Sequence, residues 1–304
     1  MPRLIKPHAV APGAVFGIAA PGFAVDREKL EVGEVALQEA GFETYHRDDI
    51  FDREGYLAGT DGRRAAELMD LVADPRIDAI ICARGGYGCD RIVPALDAQA
   101  VRSAAKPLVG FSDVTALLLW QRRRAGLIGF HGPMLEEQVD PLAWAHLLSM
   151  LTGREQLPVA MSGQGICPGR ATGRIVGGSL TILATSIGSL WEVETRDAIL
   201  LIEDVGERPY RIDRMLGQLR AAGKFERLAG VGVGAFEDCL DSKYPDASVD
   251  AVIDDYFRPL GVPVVTGLAF GHLDSNYSWP MGARATIDAE KGELQLLERG
   301  VHRP

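Results

Sequence analysis

Positive charge is in short supply in this chain. Its 32 lysines and arginines face 42 aspartates and glutamates, a formal net charge of −10 over 304 residues. A phosphate-backbone partner would be held against that field, so nucleic acid is excluded as the expected ligand. The one dense basic run, Arg122-Arg123-Arg124, closes an apolar helical segment. Cations suit the carbonyl end of a helix dipole, and a solvated helix end is expected there. Long apolar runs are missing as well. No stretch approaches the roughly 20 residues that cross a bilayer, and residues 1–13 lack the apolar core of a signal peptide; no membrane association and a cytoplasmic address are expected. Cysteine is sparse: Cys82, Cys89, Cys167 and Cys239 have no CxxC spacing and are expected to be reduced structural thiols. None of the six histidines falls in an HExxH or similar ligand pattern, so no metal is expected. What remains, 47% apolar and 24% charged, is the balance of a globular protein long enough for two domains.

Strand-like and helix-like segments alternate through the first half. Ala14–Ala20, Phe42–His46, Ile77–Ala83, Pro107–Phe111 and Leu127–Phe130 read as strands. Asp26 is placed to cap a helix carrying Leu30, Val35 and Leu37 and ending at Gly41; Thr60 is placed to cap another that stops at Asp74-Pro75. The fold class expected is α/β, a parallel sheet with flanking helices followed by a smaller mixed α/β domain. Pro, Gly and Ser crowd between about Leu157 and Thr172, where no periodicity survives. The domains are therefore set at 1–156 and 173–304, with 157–172 as linker. Beyond the linker come strands at Ile199–Glu203, Gly230–Phe236 and Val262–Thr266, a helix near Tyr210–Ala222, and two terminal strands at Arg284–Ile287 and Leu294–Leu297.

Ligands of open α/β sheets gather beyond the carboxyl ends of strands, which directs attention to four segments. Arg84-Gly85-Gly86-Tyr87-Gly88 lets backbone approach a ligand closely. It is neither GxGxxG nor a phosphate loop, so no nucleotide cofactor is expected; a turn and an oxyanion cradle both remain open. Ser112, in Gly110-Phe111-Ser112-Asp113, stands at a strand-to-helix corner. It is either a helix cap or a nucleophile with helix-start N–H groups beside it. Glu203 ends five apolar residues, as a structural partner of Arg208 or Arg211 or as the orienter of a histidine. His272 follows glycines in a loop, either solvated or a general base.

Together these segments resemble the LD-carboxypeptidase, or muramoyltetrapeptide carboxypeptidase, family of serine peptidases. The resemblance runs from about Val15 to Leu297. It rests on Ala20-Pro21-Gly22, Arg84–Gly88, Gly110-Phe111-Ser112-Asp113-Val114-Thr115-Ala116, His131-Gly132-Pro133-Met134, Gly177-Gly178-Ser179-Leu180, Glu203-Asp204, Pro209–Leu216 and Gly267–His272. It implies a Ser112, His272, Glu203 triad, an oxyanion hole from the N–H groups of Gly86 and Asp113, a site between two domains, and no cofactor. Ser179 stands where members usually carry Asn. The implied reaction releases terminal D-alanine from the L-centre of diaminopimelate in recycled murein tetrapeptides, with the muropeptide as small-molecule partner and a homodimer as assembly. The substrate's carboxylate needs a fixed cation or backbone donors; Arg84 and Arg211 are the candidate cations unless they pair with acidic side chains. Two other readings stay open: an immunity-type member cutting peptidyl-nucleotide antibiotics, with Trp191 offered to a purine or else in the core, and a non-catalytic muropeptide-binding protein.

Overall fold

The computed structural model describes residues 2–137 and 140–303. Five strands, β1 (Val15–Ala19), β2 (Glu43–Tyr45), β3 (Ala79–Cys82), β4 (Leu108–Val109) and β5 (Gly129–His131), run parallel in the order β2-β1-β3-β4-β5. Between them lie α1 (Arg27–Glu39), α2 (Asp61–Ala73), α3 (Cys89–Ile92), α4 (Ala98–Ala104) and α5 (Thr115–Trp120). β3, β4 and β5 are buried along their whole length, as parallel strands covered by helices must be. Gly17 belongs to this packing, because a Cβ there would lie 2.8 Å from Leu71 of α2. The strand order reverses direction between β1 and β3, which opens a crevice beyond their carboxyl ends.

The expected caps are in place. The Asp26 carboxylate accepts from the N–H groups of Glu28 and Lys29, and the Thr60 hydroxyl accepts from Arg63 N–H at 3.1 Å. On α1 the buried stripe is Leu30, Gly33 and Leu37. Val35, expected on that face, is 50% exposed; it lies two residues from Gly33 and Leu37, which on a helix turns it away from them.

The second half starts after α6 (Pro141–Leu151). It comprises β6 (Val159–Ser162), β7 (Gln164–Cys167), β8 (Arg170–Ser179), α7 (Leu180–Thr185), β9 (Ala198–Val205), α8 (Pro209–Ala221), β10 (Gly230–Glu237), α9 (Val249–Phe257), β11 (Val264–Thr266), β12 (Trp279–Met281), β13 (Arg284–Asp288) and β14 (Glu293–Leu296). Its eight-stranded sheet has the order β6-β14-β13-β8-β9-β10-β11-β7, with a parallel centre from β8 to β11 and antiparallel flanks. Residues 157–172, expected as a linker, thus hold both edge strands of this sheet. The glycines that hid β7 serve close packing: a Cβ on Gly165 would lie 1.8 Å from the Ala289 carbonyl oxygen. β12 leaves the second half altogether and pairs antiparallel with β5, matching Trp279 to His131 and completing the first sheet.

The arginine run also differs from expectation. Gln121–Ala125 is a π-helical turn closed by Gly126 at φ 62°. Only Arg124 is exposed; burial pushes the Arg122 guanidinium down to about 10, and Arg123 donates to the Glu192 carbonyl at 2.9 Å. All four cysteines are free and buried.

Docking of the halves centres on α5. Gly178, at φ 129°, brings β8 so near that a Cβ would meet Thr115 Oγ1 at 2.5 Å, and Ser179 N–H donates to the same hydroxyl at 3.3 Å. Gly178→Ala is therefore expected to destabilise the protein by about 1–3 kcal/mol through strain and overpacking, read as a lower midpoint in urea unfolding.

Candidate active site

Three strand ends of the two sheets converge on one cleft. After β4 the chain turns through Gly110, whose Cβ would press on Val114 at 2.7 Å. Ser112 then adopts φ 56°, a left-handed conformation that costs a non-glycine residue about 1–2 kcal/mol and signals a position fixed by its surroundings. A short 3₁₀ turn over Ser112–Val114 leads into α5. Ser112 caps neither element, since the cap positions are Phe111 and Val114 and neither makes a side-chain bond. Of the two readings open for this serine, the cap is thereby set aside.

The glycine loop after β3 lies against this corner. A Cβ on Gly85 would stand 3.1 Å from Ser112 Cβ, 3.3 Å from its Oγ and 3.4 Å from Asp113 N. Gly86 has φ 104° and could carry no side chain without striking the Phe23 ring. Phe23 N–H donates to the Gly85 carbonyl at 3.1 Å. The fully buried Arg64 ties the surroundings together, donating to the carbonyls of both Pro21 and Gly88. Asp113 is buried, its carboxylate accepting from Cys89 N–H at 2.8 Å, and burial raises its pKa. The backbone N–H of Asp113 is thus left at the helix start, beside Gly85.

From the second sheet comes a carboxylate and an imidazole. Glu203 on β9 is fully buried, and its Oε2 accepts from His272 Nδ1 at 2.7 Å. Gly271, at φ 105°, admits this approach, because a Cβ there would lie 2.8 Å from Glu203 Oε2. Its N–H donates to Asn276 Oδ1 at 2.9 Å. The His272 ring packs on Phe111, centroids 4.8 Å apart, next to Ser112 in the chain. Burial lowers the His272 pKa, but the hydrogen bond and charge of Glu203, with Glu137 and Asp204 adding to them, outweigh it and leave the pKa raised. Neither arginine considered for Glu203 is its partner: Arg211 pairs with Glu207 at 3.1 Å, and Glu203 is taken by His272.

Arg84 is 3.5 Å from Glu136 and 3.3 Å from the Ala24 carbonyl, with its side chain still 37% exposed. Arg211 is more exposed and points along α8 to Glu207. Ser179, opposite Glu203 in the ladder, caps α7 by accepting from Ile182 N–H, so this serine has a structural duty of its own. Trp191 is 6% exposed and belongs to the core.

Three residues near the pair carried no assigned role in the sequence. His131, fully buried, stacks on Trp279 at 4.7 Å and packs against Phe111; burial, then the charge of His272, pushes its pKa down to about 3, so the ring is neutral. Burial pushes the Glu137 carboxyl up to about 8, and that carboxyl acts electrostatically on His272. Asn276, one turn of loop beyond His272, holds Gly271. His131 stands in the His131-Gly132-Pro133-Met134 segment of the resemblance and Asn276 lies a short spacing from the histidine, whereas Glu137 carries no such signal.

The sign of the His272 shift is testable. Glu203→Gln removes the opposing charge and leaves burial in command, so the imidazole pKa is expected to move below that of the unaltered protein in an NMR titration. Because the folded pKa is raised, the charged ring stabilises the fold fully below its unfolded pKa of about 6.5, and that contribution is lost as pH rises through the folded value.

Models of the LD-carboxypeptidase N-terminal domain and C-terminal domain match residues 16–132 and 172–287. The probable murein peptide carboxypeptidase of Bacillus subtilis is 35% identical over 97% of this chain and 95% of its own. The murein tetrapeptide carboxypeptidase of Pseudomonas aeruginosa is 33% identical over 90% and 93%. Among solved structures, muramoyltetrapeptide carboxypeptidase from Oxalobacter formigenes superposes with a TM-score of 0.86 at 28% identity, covering 94% of this chain and 99% of that one. The microcin C7 self-immunity protein superposes at 0.90 with 22% identity over 98% and 100%, a likeness of fold. With both domain models matched in order and relatives this similar along almost its full length, the chain belongs to the LD-carboxypeptidase family.

Proposed function

We propose that the protein is a serine-type LD-carboxypeptidase that releases terminal D-alanine from murein tetrapeptides. The observation that carries this reading is the Glu203–His272 pair, 2.7 Å long, delivered to the ring of Phe111 beside the strained Ser112. In this reading Ser112 Oγ attacks the amide carbonyl on the L-centre of diaminopimelate, and His272 Nε2 takes its proton. The N–H groups of Gly86 and Asp113 receive the oxyanion. His272 then protonates the leaving amine of D-alanine as the C–N bond breaks, and water resolves the resulting ester by the same route in reverse. Glu203 holds the tautomer and stabilises the imidazolium. Arg84, beside the glycine loop and partly exposed, is the candidate for the substrate carboxylate; Arg211 is the weaker one, being engaged with Glu207.

Trp191, the ring offered to a purine in the antibiotic-cleaving reading, lies in the core and gives that reading no support. Murein peptide, as named for the Bacillus and Pseudomonas relatives, is the better supported substrate. Salvage of such peptides fits a cytoplasmic address, and a homodimer follows from the family resemblance alone. No described helix is long and apolar enough to cross a membrane.

Incubation with muramoyl tetrapeptide is expected to release D-alanine, and Ser112→Ala to lower turnover on the order of 10⁴-fold. A variant that keeps most activity would remove Ser112 from the chemistry. Since the base must be neutral, kcat/KM should rise with pH through an apparent pKa above the ordinary histidine value.

A further inference from the structure

The two N–H groups that receive the oxyanion in the proposed reaction, those of Gly86 and Asp113, come from different segments. One lies in the loop after β3, the other in the turn that opens α5. Among the described residues neither N–H donates to another group of the protein. Two donors serve one oxygen only if they converge on the same point, held to within about 0.5 Å. The sheet does not impose this convergence, because the β3–β4 ladder ends at Ile81 and Val109, several residues short of both donors. Contact alone brings the segments together at Gly85, where a Cβ would stand 3.4 Å from Asp113 N.

The directional link is the Asp113 side chain. Its carboxylate, on a residue only 2% exposed, turns back to the loop and accepts from Cys89 N–H at 2.8 Å. Cys89 follows Gly86 by three residues, and its fully buried thiol lies against the same carboxylate. Burial first, then the Asp113 charge, push that thiol's pKa well up, so it keeps its proton. The other pins of the loop face elsewhere: Phe23 N–H donates to the Gly85 carbonyl at 3.1 Å, and Arg64 donates to the Gly88 carbonyl at 2.7 Å. Among the described residues, the Asp113–Cys89 bond is the one hydrogen bond that joins residues 84–89 to residues 110–115. Burying a carboxylate is costly, and packing of this corner does not require one. We infer that the Asp113 side chain is the positioning group of the oxyanion hole: its own N–H is one donor, and through Cys89 its carboxylate sets the place of the other, on Gly86. The inference rests on the hydrolytic reading above, in which these two N–H groups receive the oxyanion.

Asp113→Ala keeps its own backbone N–H and releases the loop. It is expected to lower kcat for muramoyl tetrapeptide by about 10- to 100-fold with KM little changed, since the donors act on the transition state. Asp113→Asn, whose amide oxygen accepts the same bond from Cys89 N–H, should recover most of that loss. Rates are compared in buffer well below the urea midpoint of each variant. Should Asp113→Ala fail to fold, Asp113→Ser takes its place with the same expectation, because its hydroxyl stops one bond short of the carboxylate oxygens. The second readout is the rate at which a fluorophosphonate labels Ser112. In that step the Oγ–P bond forms, fluoride leaves, the serine proton passes to His272, and the phosphoryl oxygen occupies the hole without any murein peptide. Labelling should slow in Asp113→Ala and recover in Asp113→Asn. Unchanged kcat and labelling in Asp113→Ala, a loss carried by KM, or an equal loss in the alanine and asparagine variants overturns the inference. If the unaltered protein released no D-alanine while labelling followed the expected pattern, the murein-carboxypeptidase reading would fall and the positioning role would stand.

Discussion

A carboxylate removed from water must be met by a partner or it will take up a proton. Glu203, fully buried at the end of β9, imposes that condition on everything around it. Its partner comes from a loop 69 residues further on, and the loop can arrive only because Gly271 has no side chain to strike the carboxylate. Once there, the imidazole has one nitrogen committed to Glu203 and a face laid on Phe111. The other nitrogen is thereby aimed away from the carboxylate, and the ring is tied to the residue that precedes Ser112. Neutral His131 and Trp279 close the rear of the arrangement with stacked, apolar surface.

Docking of the two sheets obeys the same economy of small residues. Gly178 brings β8 within touch of Thr115, and Gly85 brings the loop after β3 within touch of Ser112. Arg64, with no exposed surface, spends its guanidinium on two loop carbonyls rather than on bulk charge pairing alone. The cleft is therefore held from below by backbone acceptors and from the sides by absent side chains, a combination that leaves its geometry little freedom to drift. Ser112 keeps a left-handed backbone because these neighbours leave it no other place.

Much of this was legible from residue order. Asp26 and Thr60 announced their helices, and Gly110-Phe111-Ser112-Asp113 announced a corner, because capping and chain reversal are local events encoded by adjacent residues. The union of Glu203 with His272 was not local. Each had a plain structural alternative, and only resemblance across the whole chain joined them. Gly163, Gly165 and Gly169 were misleading for a physical reason: they crowd a stretch that reads as loop, whereas at Gly165 the glycine permits close contact between strands. Val35 misled in a different way, being apolar yet turned to solvent. β12 left no mark, since a three-residue strand containing Pro280 has no periodicity to detect and is tolerated only at a sheet edge.

That same edge strand orders events during synthesis. The sheet bearing Ser112 is drawn from residues 15–131, yet its last place is filled by Trp279–Met281. A nascent chain emerging from the ribosome carries β5 with one side unpaired until residues 279–281 have been made, and an unpaired edge invites association with other chains. The Glu203–His272 pair is delayed equally, because His272 emerges only a few residues earlier. The first sheet is thus closed only after the whole of the second sheet's parallel centre has been made.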